Sequence, residues 1–324
     1  MRRDGWRRAL RAIGLPLAFF GLIAILLTWP LATRLTTHAA GTTYGDSDEV
    51  IRHIWWASEQ LAAGRNPFDQ PLLAYPEGFT SWLQWTHPLQ YLPGALLAFV
   101  VSPVAAFNLA LLITLALNGL AAYWLGMTLN GEDVPGALLG GLVFMAFPTL
   151  QGHLSAGHLG ILTLWGAPLF ARCLWRVLHD GAGWRSALWG GVWFWLTGLG
   201  YVSHITFVLF PIVVFLGLGA WWTAPRERWG SGLPLRERRW VRAATMIALG
   251  AALLLPFYLP LLTDAGQAEL RGVGETGRVR YSADPLAFVS PSPFGPLADV
   301  GLVPDYARRA LGTNSIEGSA YLGL

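Results

Sequence analysis

Arg226-Glu227-Arg228-Trp229-Gly230-Ser231-Gly232-Leu233-Pro234-Leu235-Arg236-Glu237-Arg238-Arg239-Trp240-Val241-Arg242 is the most basic stretch of the chain, and it lies between two long apolar runs. Basic residues beside apolar spans stay on the cytoplasmic side of a membrane. Placing this stretch inside fixes the direction of every other span. The run Ser203–Thr223 then enters the cytoplasm and Ala243–Leu262 leaves it. Working back, Ser186–Gly200 goes out, Leu159–Leu178 comes in towards Arg172, Arg176 and Arg185, Pro135–Thr149 goes out and Ala105–Leu129 comes in. The first span, Ala12–Thr33, follows Arg2, Arg3, Arg7, Arg8 and Arg11, so the N-terminus is cytoplasmic.

Pro88–Pro103 is the ambiguous stretch. It is apolar but short and contains Pro93 and Gly94. A full crossing needs about 20 residues. Read as a crossing, it would also invert every later loop and put the basic stretch outside. It is therefore expected to be interfacial or re-entrant. The resulting fold class is all-α and integral to the membrane, with about seven transmembrane helices in a module covering 1–262. Residues 34–104 form a first external loop with interfacial helices, and 263–324 form a last external segment.

The composition agrees. Hydrophobic residues make up 54% of the 324, charged residues only 13%, and mean hydropathy is +0.45. Such values belong to membrane helices. All 22 basic residues are arginine, and fourteen lie near the inner ends of spans, while 13 of the 19 acids lie in the external segments. The net charge of +3 thus reports topology and gives no nucleic-acid stripe. The single cysteine, Cys173, excludes an internal disulfide. No acid lies within a span, which argues against an ion or proton pathway through the bilayer.

Chemistry is therefore expected at the outer face, and it centres on Gly45-Asp46-Ser47-Asp48-Glu49. An Asp with Glu three positions on has the form of a capping box, and Ile51, Ile54, Trp55 and Ser58 then share one helical face. Asp46 and Asp48 would stand at a positive helix end, which keeps carboxylates ionised. Such a pair can hold a divalent cation or take a proton from a hydroxyl; the plainer alternative is a cap and a solvated turn. Six of the seven histidines, at 38, 53, 87, 153, 158 and 204, fall on the same face. The spacing of His153 and His158 is not that of a helical zinc pair. Arg271, Arg278 and Arg280 offer forked contacts to a phosphate, or equally an anchor on anionic headgroups.

The order of these features resembles the GT-C superfamily of membrane glycosyltransferases. The matching residues are Gly45-Asp46-Ser47-Asp48, Asn66-Pro67-Phe68, Tyr75-Pro76-Glu77-Gly78, the His153/His158 turn, Ala283-Asp284-Pro285 with Pro291-Ser292-Pro293, and Glu317 with Tyr321-Leu322-Gly323. The resemblance implies transfer of a sugar from a polyprenyl-phosphate donor to an acceptor at the outer face of a bacterial cytoplasmic membrane. It assigns the catalytic base or metal ligand to Asp48 or Asp46, with Asp48 preferred, and Mg or Mn as the cation. Substrate contacts would fall to His153, His158, Arg271, Arg278 and Arg280. Members carry an acid between spans three and four. Here that loop has only Gln151, His153 and His158, so the second carboxylate role is either unfilled or taken by histidine. Members also continue with further spans, so Leu324 is expected to end a fragment. Two other classes stay open: a transporter or flippase for a lipid-linked saccharide, resting on Asn108, Asn118 and His204, and an inactive membrane scaffold.

Overall fold

The computed structural model describes residues 13–42, 45–73, 75–223 and 238–263. Arg271, Arg278, Arg280 and the last external segment beyond Thr263 lie outside these, as does most of the 226–242 stretch. The described chain is helical apart from one short hairpin. Four of its helical stretches are long and apolar enough to cross a bilayer: Pro103–Leu129, Leu159–Leu178, Ile205–Thr223 and Arg239–Leu262. A bent pair, Val134–Met145 with Pro148–Ala156, makes a fifth if the two are one span. The first and fifth expected spans are shorter. Helix α1 (Leu15–Leu27) has 13 described residues and α10 (Trp184–Gly198) has 15, or roughly 20 Å each.

Helix α5 (Pro103–Leu129) is the axis of the fold. Ser102 caps it by accepting from the Ala105 N–H at 3.3 Å, and Pro103 supplies a preset first turn. Its buried face is rich in small residues (Ala106, Ala110, Gly119), so neighbours come close. The ring of Phe20 from α1 and the sulfur of Met145 from α6 (Val134–Met145) occupy the space over Gly119 that a side chain would need. A second core joins α9 (Gly166–Leu178), α10 and α12 (Arg239–Tyr258), where Met246 and Leu249 lie over Gly190 and Gly191. By contrast α11 (Phe210–Thr223) keeps Phe215 and Trp222 exposed, a surface suited to hydrocarbon.

Two stretches differ from expectation, while a third, Pro88–Pro103, holds no helix long enough to cross, as expected. The turn expected at 150–158 is largely a helix, α7 (Pro148–Ala156), which meets α6 at 43°. Pro148 explains the bend: it forces Phe147 out of the helical region (ψ 136°) and then starts the new helix. The span Leu159–Leu178 is broken at Thr163, between the short α8 (Leu159–Leu162) and α9. The break leaves backbone carbonyls without helical partners. Asn118 Nδ2 donates to Leu162 O at 2.8 Å, and His204 Nε2 lies 3.2 Å from Ile161 O. In apolar surroundings these side chains do what water would do elsewhere. Pro88–Pro103 contains only a 3₁₀ turn at Pro88–Gln90 and the six-residue α4 (Leu92–Leu97) before α5 begins.

The described arginines of the basic stretch also have local work. Arg239 Nη1 donates to Leu178 O and His179 O at 2.8 and 2.7 Å, and Arg242 Nη1 to Ala182 O at 2.7 Å. These are terminal carbonyls of α9 and its following turn, where cations are favoured.

Gly119→Val should therefore force Phe20 from its seat. The expected cost is about 1–3 kcal/mol, read as a lower thermal midpoint of the detergent-solubilised protein. An unchanged midpoint would mean that α1 does not pack on α5 in this way.

Candidate functional site

Two backbone hydrogen bonds zip the loop after α1 to the end of α7: Thr42 N–H donates to Ser155 O and Asp46 N–H to Ala156 O, each at 2.7 Å. Gly45 permits this contact, because a Cβ there would lie 2.5 Å from Ala156 O. Gly157, at φ 76°, ends α7 and turns the chain back over Ser47. Ser47 Oγ donates to Ala40 O at 2.6 Å, and Asn108 of α5 accepts from Ala40 N–H at 3.0 Å. The start of helix α2 (Ser47–Ala62) is thus held by three separate segments.

This clamp aims Asp46 at the histidines. Asp46 Oδ2 lies 3.1 Å from His158 Nε2, and His158 Nδ1 lies 2.9 Å from His153 Nδ1. The left-handed Gly157 between them brings the two rings to 5.1 Å, which their spacing in sequence does not suggest. With Nε2–H of His158 donated to the carboxylate, its Nδ1 accepts from Nδ1–H of His153. The hydrogen bond from His158 holds the Asp46 carboxyl below the usual carboxylate range, against partial burial.

The expected capping box is absent. Asp46 occupies the N-cap position, but its side chain makes no capping bond because His158 takes it. The buried face of α2 runs through Ser47, Val50, His53, Ile54 and Ala57, so Trp55 is exposed and not on it. Ile54 sets this rotation by filling the space above Gly94. Asp48 is therefore turned outward. Its carboxylate is exposed and makes no hydrogen bond or ion pair with a described residue.

Beside the Asp46–His158 pair opens a cleft of about 310 Å³ whose lining includes Asp46, Glu49, Gln84, Gln90, His158 and Tyr201. Among the described residues, Asp48, His153 and the arginines do not line it. Gln90 Oε1 is buried without a hydrogen-bond partner, an acceptor left for a donor. Glu49 Oε1 lies 3.2 Å from His53 Nε2, which lowers the Glu49 carboxyl. His53 itself is held below its ordinary value by burial, against the pull of Glu49 and with the help of Arg52. Arg52 Nη2 lies 2.8 Å from the same ring nitrogen, so its guanidinium adds positive charge beside His53. His87, buried next to Tyr91 and Thr86, is pushed down to about 3 by burial and by neighbouring His53 and His204. The separate histidines of the sequence are thus gathered at one place, except His38, which pairs with Thr37, and His179, stacked on Trp175. Gln84 and Gln90 carry no motif that marks them in the sequence, and Glu49 stands out there only as the far half of a capping box.

A second, longer groove of about 460 Å³ runs beside the zip, between Trp29, Arg34, His38 and Gln151, and shares Thr42 and Ser155 with it. Among the described residues no group of three or more His, Cys, Asp or Glu side chains is arranged to hold a metal ion. With Asp48 turned away and Asp46 engaged by His158, the Asp46/Asp48 pair does not fit a divalent cation.

Two outcomes follow from this geometry. Gly45→Ala should part Asp46 from His158, seen by NMR as a rise of the Asp46 carboxyl towards the ordinary carboxylate range; an unchanged Asp46 titration would refute the close approach. For His87 the folded pKa lies below the unfolded value of about 6.5, so the unfolded state protonates first as the pH falls. Stability present above 6.5 is then lost on acidification towards 3, by up to about 1.4 kcal/mol per pH unit. Thermal midpoints between pH 7.5 and 5 should fall, and fall less in His87→Gln.

Comparison with curated proteins and with solved structures gives no match. One family model does match, over residues 18–324, and its description is a domain of unknown function, DUF6311. That match spans nearly the whole chain, including the clamp, the histidine pair and the cleft: the protein belongs to the DUF6311 family.

Proposed function

We propose that the chain is a membrane glycosyltransferase with seven crossings and a cytoplasmic N-terminus, acting from its outer face on a polyprenyl-phosphate-linked sugar. One observation carries this reading: an ionised carboxylate, Asp46, is oriented by a histidine pair at the edge of a cleft lined by acids and amides. Acids and amides suit the hydroxyls of a sugar or acceptor. The neighbouring groove, with Trp29 for the chain and Arg34 for the charge, suits a lipid phosphate. The arginines at 271, 278 and 280 add to this role in the proposal alone.

In the transfer step the acceptor oxygen attacks C1 of the sugar, and the C1–O bond to phosphate breaks. The lipid phosphate leaves with the bonding pair, and the hydroxyl proton goes to Asp46 Oδ1. His158 occupies Oδ2 and so fixes which oxygen faces the cleft. Glu49, on the same wall, supplies the second carboxylate that the loop between spans three and four lacks. No step runs through a cation. Transport is the weaker reading, because Asn108, Asn118 Nδ2 and His204 hydrogen-bond to backbone carbonyls.

In this proposal Asp46 serves as the base, while Asp48 lies outside the cleft. Asp46→Asn should reduce transfer from a labelled polyprenyl-phosphate sugar about 10²-fold or more, while Asp48→Asn stays within a few-fold of wild type. Full transfer by Asp46→Asn would end the proposal. Mass spectrometry of co-purifying lipid provides an independent check, since a bound polyprenyl phosphate is expected.

A further inference from the structure

The end of α5 away from the cleft carries a second built feature. Asn108, which supports the Asp46 loop, and Thr128 lie on the same helix, roughly 30 Å apart along its axis. That distance is about the thickness of a bilayer's hydrocarbon layer. Around Thr128 a pocket of about 480 Å³ opens between the end of α5 and the end of α9, lined by Trp124, Thr128, Glu132, Arg172 and Arg176 among others.

Its charges are arranged but unpaired. Thr128 Oγ1 donates to Trp124 O at 3.1 Å and accepts from Arg172 Nε at 2.8 Å. This fixes the edge of the guanidinium and leaves both Nη groups without a hydrogen bond to any described residue. Arg176 stands one turn further along the same face, and its guanidinium has no described partner either. Glu132 shares the pocket without reaching an ion-pair distance to either arginine. It is also the one non-glycine among the described residues with a left-handed backbone, φ 70°. Such a conformation costs of order 1 kcal/mol and tends to persist where a side chain must be aimed. Two cations and an acid held in one pocket, yet apart, leave room for a ligand bearing the opposite charges in the same order.

We infer that this pocket binds a phosphate ester carrying a primary amine, with the headgroup of an ethanolamine phospholipid as its source. The phosphate oxygens accept from Arg172 and Arg176, the ammonium donates to Glu132, and Trp124 forms the wall. A glycerol headgroup would satisfy the arginines but leave Glu132 beside a ligand of like charge. A choline headgroup has no N–H to donate. The inference does not depend on the proposed transferase reaction, since it concerns the opposite face and is read without an activity assay.

The test uses the full chain, delipidated in detergent and then exchanged into bilayers of equal parts ethanolamine, glycerol and choline phospholipid. Lipid retained after a second extraction is identified by mass spectrometry. Wild type should retain the ethanolamine lipid over the glycerol lipid about tenfold, the factor expected from one charge-assisted hydrogen bond. Glu132→Gln should lose that preference but keep the total, and Arg172→Gln with Arg176→Gln should lose the bound lipid at an unchanged thermal midpoint. Millimolar phosphoethanolamine in a parallel arm separates the sources: no displacement supports the lipid, and complete displacement overturns the lipid source in favour of a soluble ester. Equal headgroup ratios in wild type and both variants would overturn the site.

Discussion

An interrupted helix inside apolar surroundings must find partners for the backbone groups it leaves open, and that demand organises this molecule. The chain is broken at Pro148, Gly157 and Thr163, between the apolar helices Val134–Met145 and Gly166–Leu178. Each break frees carbonyls or amides; at Pro148 the next turn answers, through Gln151 Nε2 donating to Met145 O at 3.0 Å, and at the others the partner comes from elsewhere. Asn118 answers the break at Thr163 and Asn108 ties down the loop after α1. The loop 42–46 answers the end of α7. The buried polar residues of the fold are thus largely committed to the main chain.

The candidate site is a by-product of the same repair. The segment that satisfies Ser155 O and Ala156 O is the segment that carries Asp46, so the carboxylate arrives beside His158 because the backbone needs it there. The helix dipole of α2 and the His158 hydrogen bond both favour the charged carboxylate. Burial acts in the other direction on the histidines, holding His53 and His87 neutral. Carboxylates that stay charged and imidazoles that stay neutral make a cleft with many acceptors and little positive charge.

The long apolar runs could be read from the sequence with good bounds: the run expected at Ala105–Leu129 is the helix Pro103–Leu129, and the one at Ala243–Leu262 is matched by Arg239–Leu262. Hydropathy sums over many residues, so single errors cancel. The interior breaks were less legible. Pro148 announces its bend, but nothing local in Ile161-Leu162-Thr163-Leu164 announces that the helix stops. The choice between Asp46 and Asp48 was open for a similar reason. Both look alike at a helix start, and only a ring 112 positions later in the chain, on His158, distinguishes them. Capping-box spacing pointed to the wrong use of Asp46, because a tertiary partner competes with the local one.

The zip between residues 42–46 and 155–156 also sets an order of assembly. Asp46 follows directly on α1, so it is made long before its histidine partner. Until α7 and α8 have been inserted, Ser47 lacks the turn that closes over it and the carboxylate has no imidazole beside it. The emerging chain therefore passes through membrane insertion with an open, harmless half-site, and the pair closes only when the later helices dock. Insertion and completion of the cleft are one event.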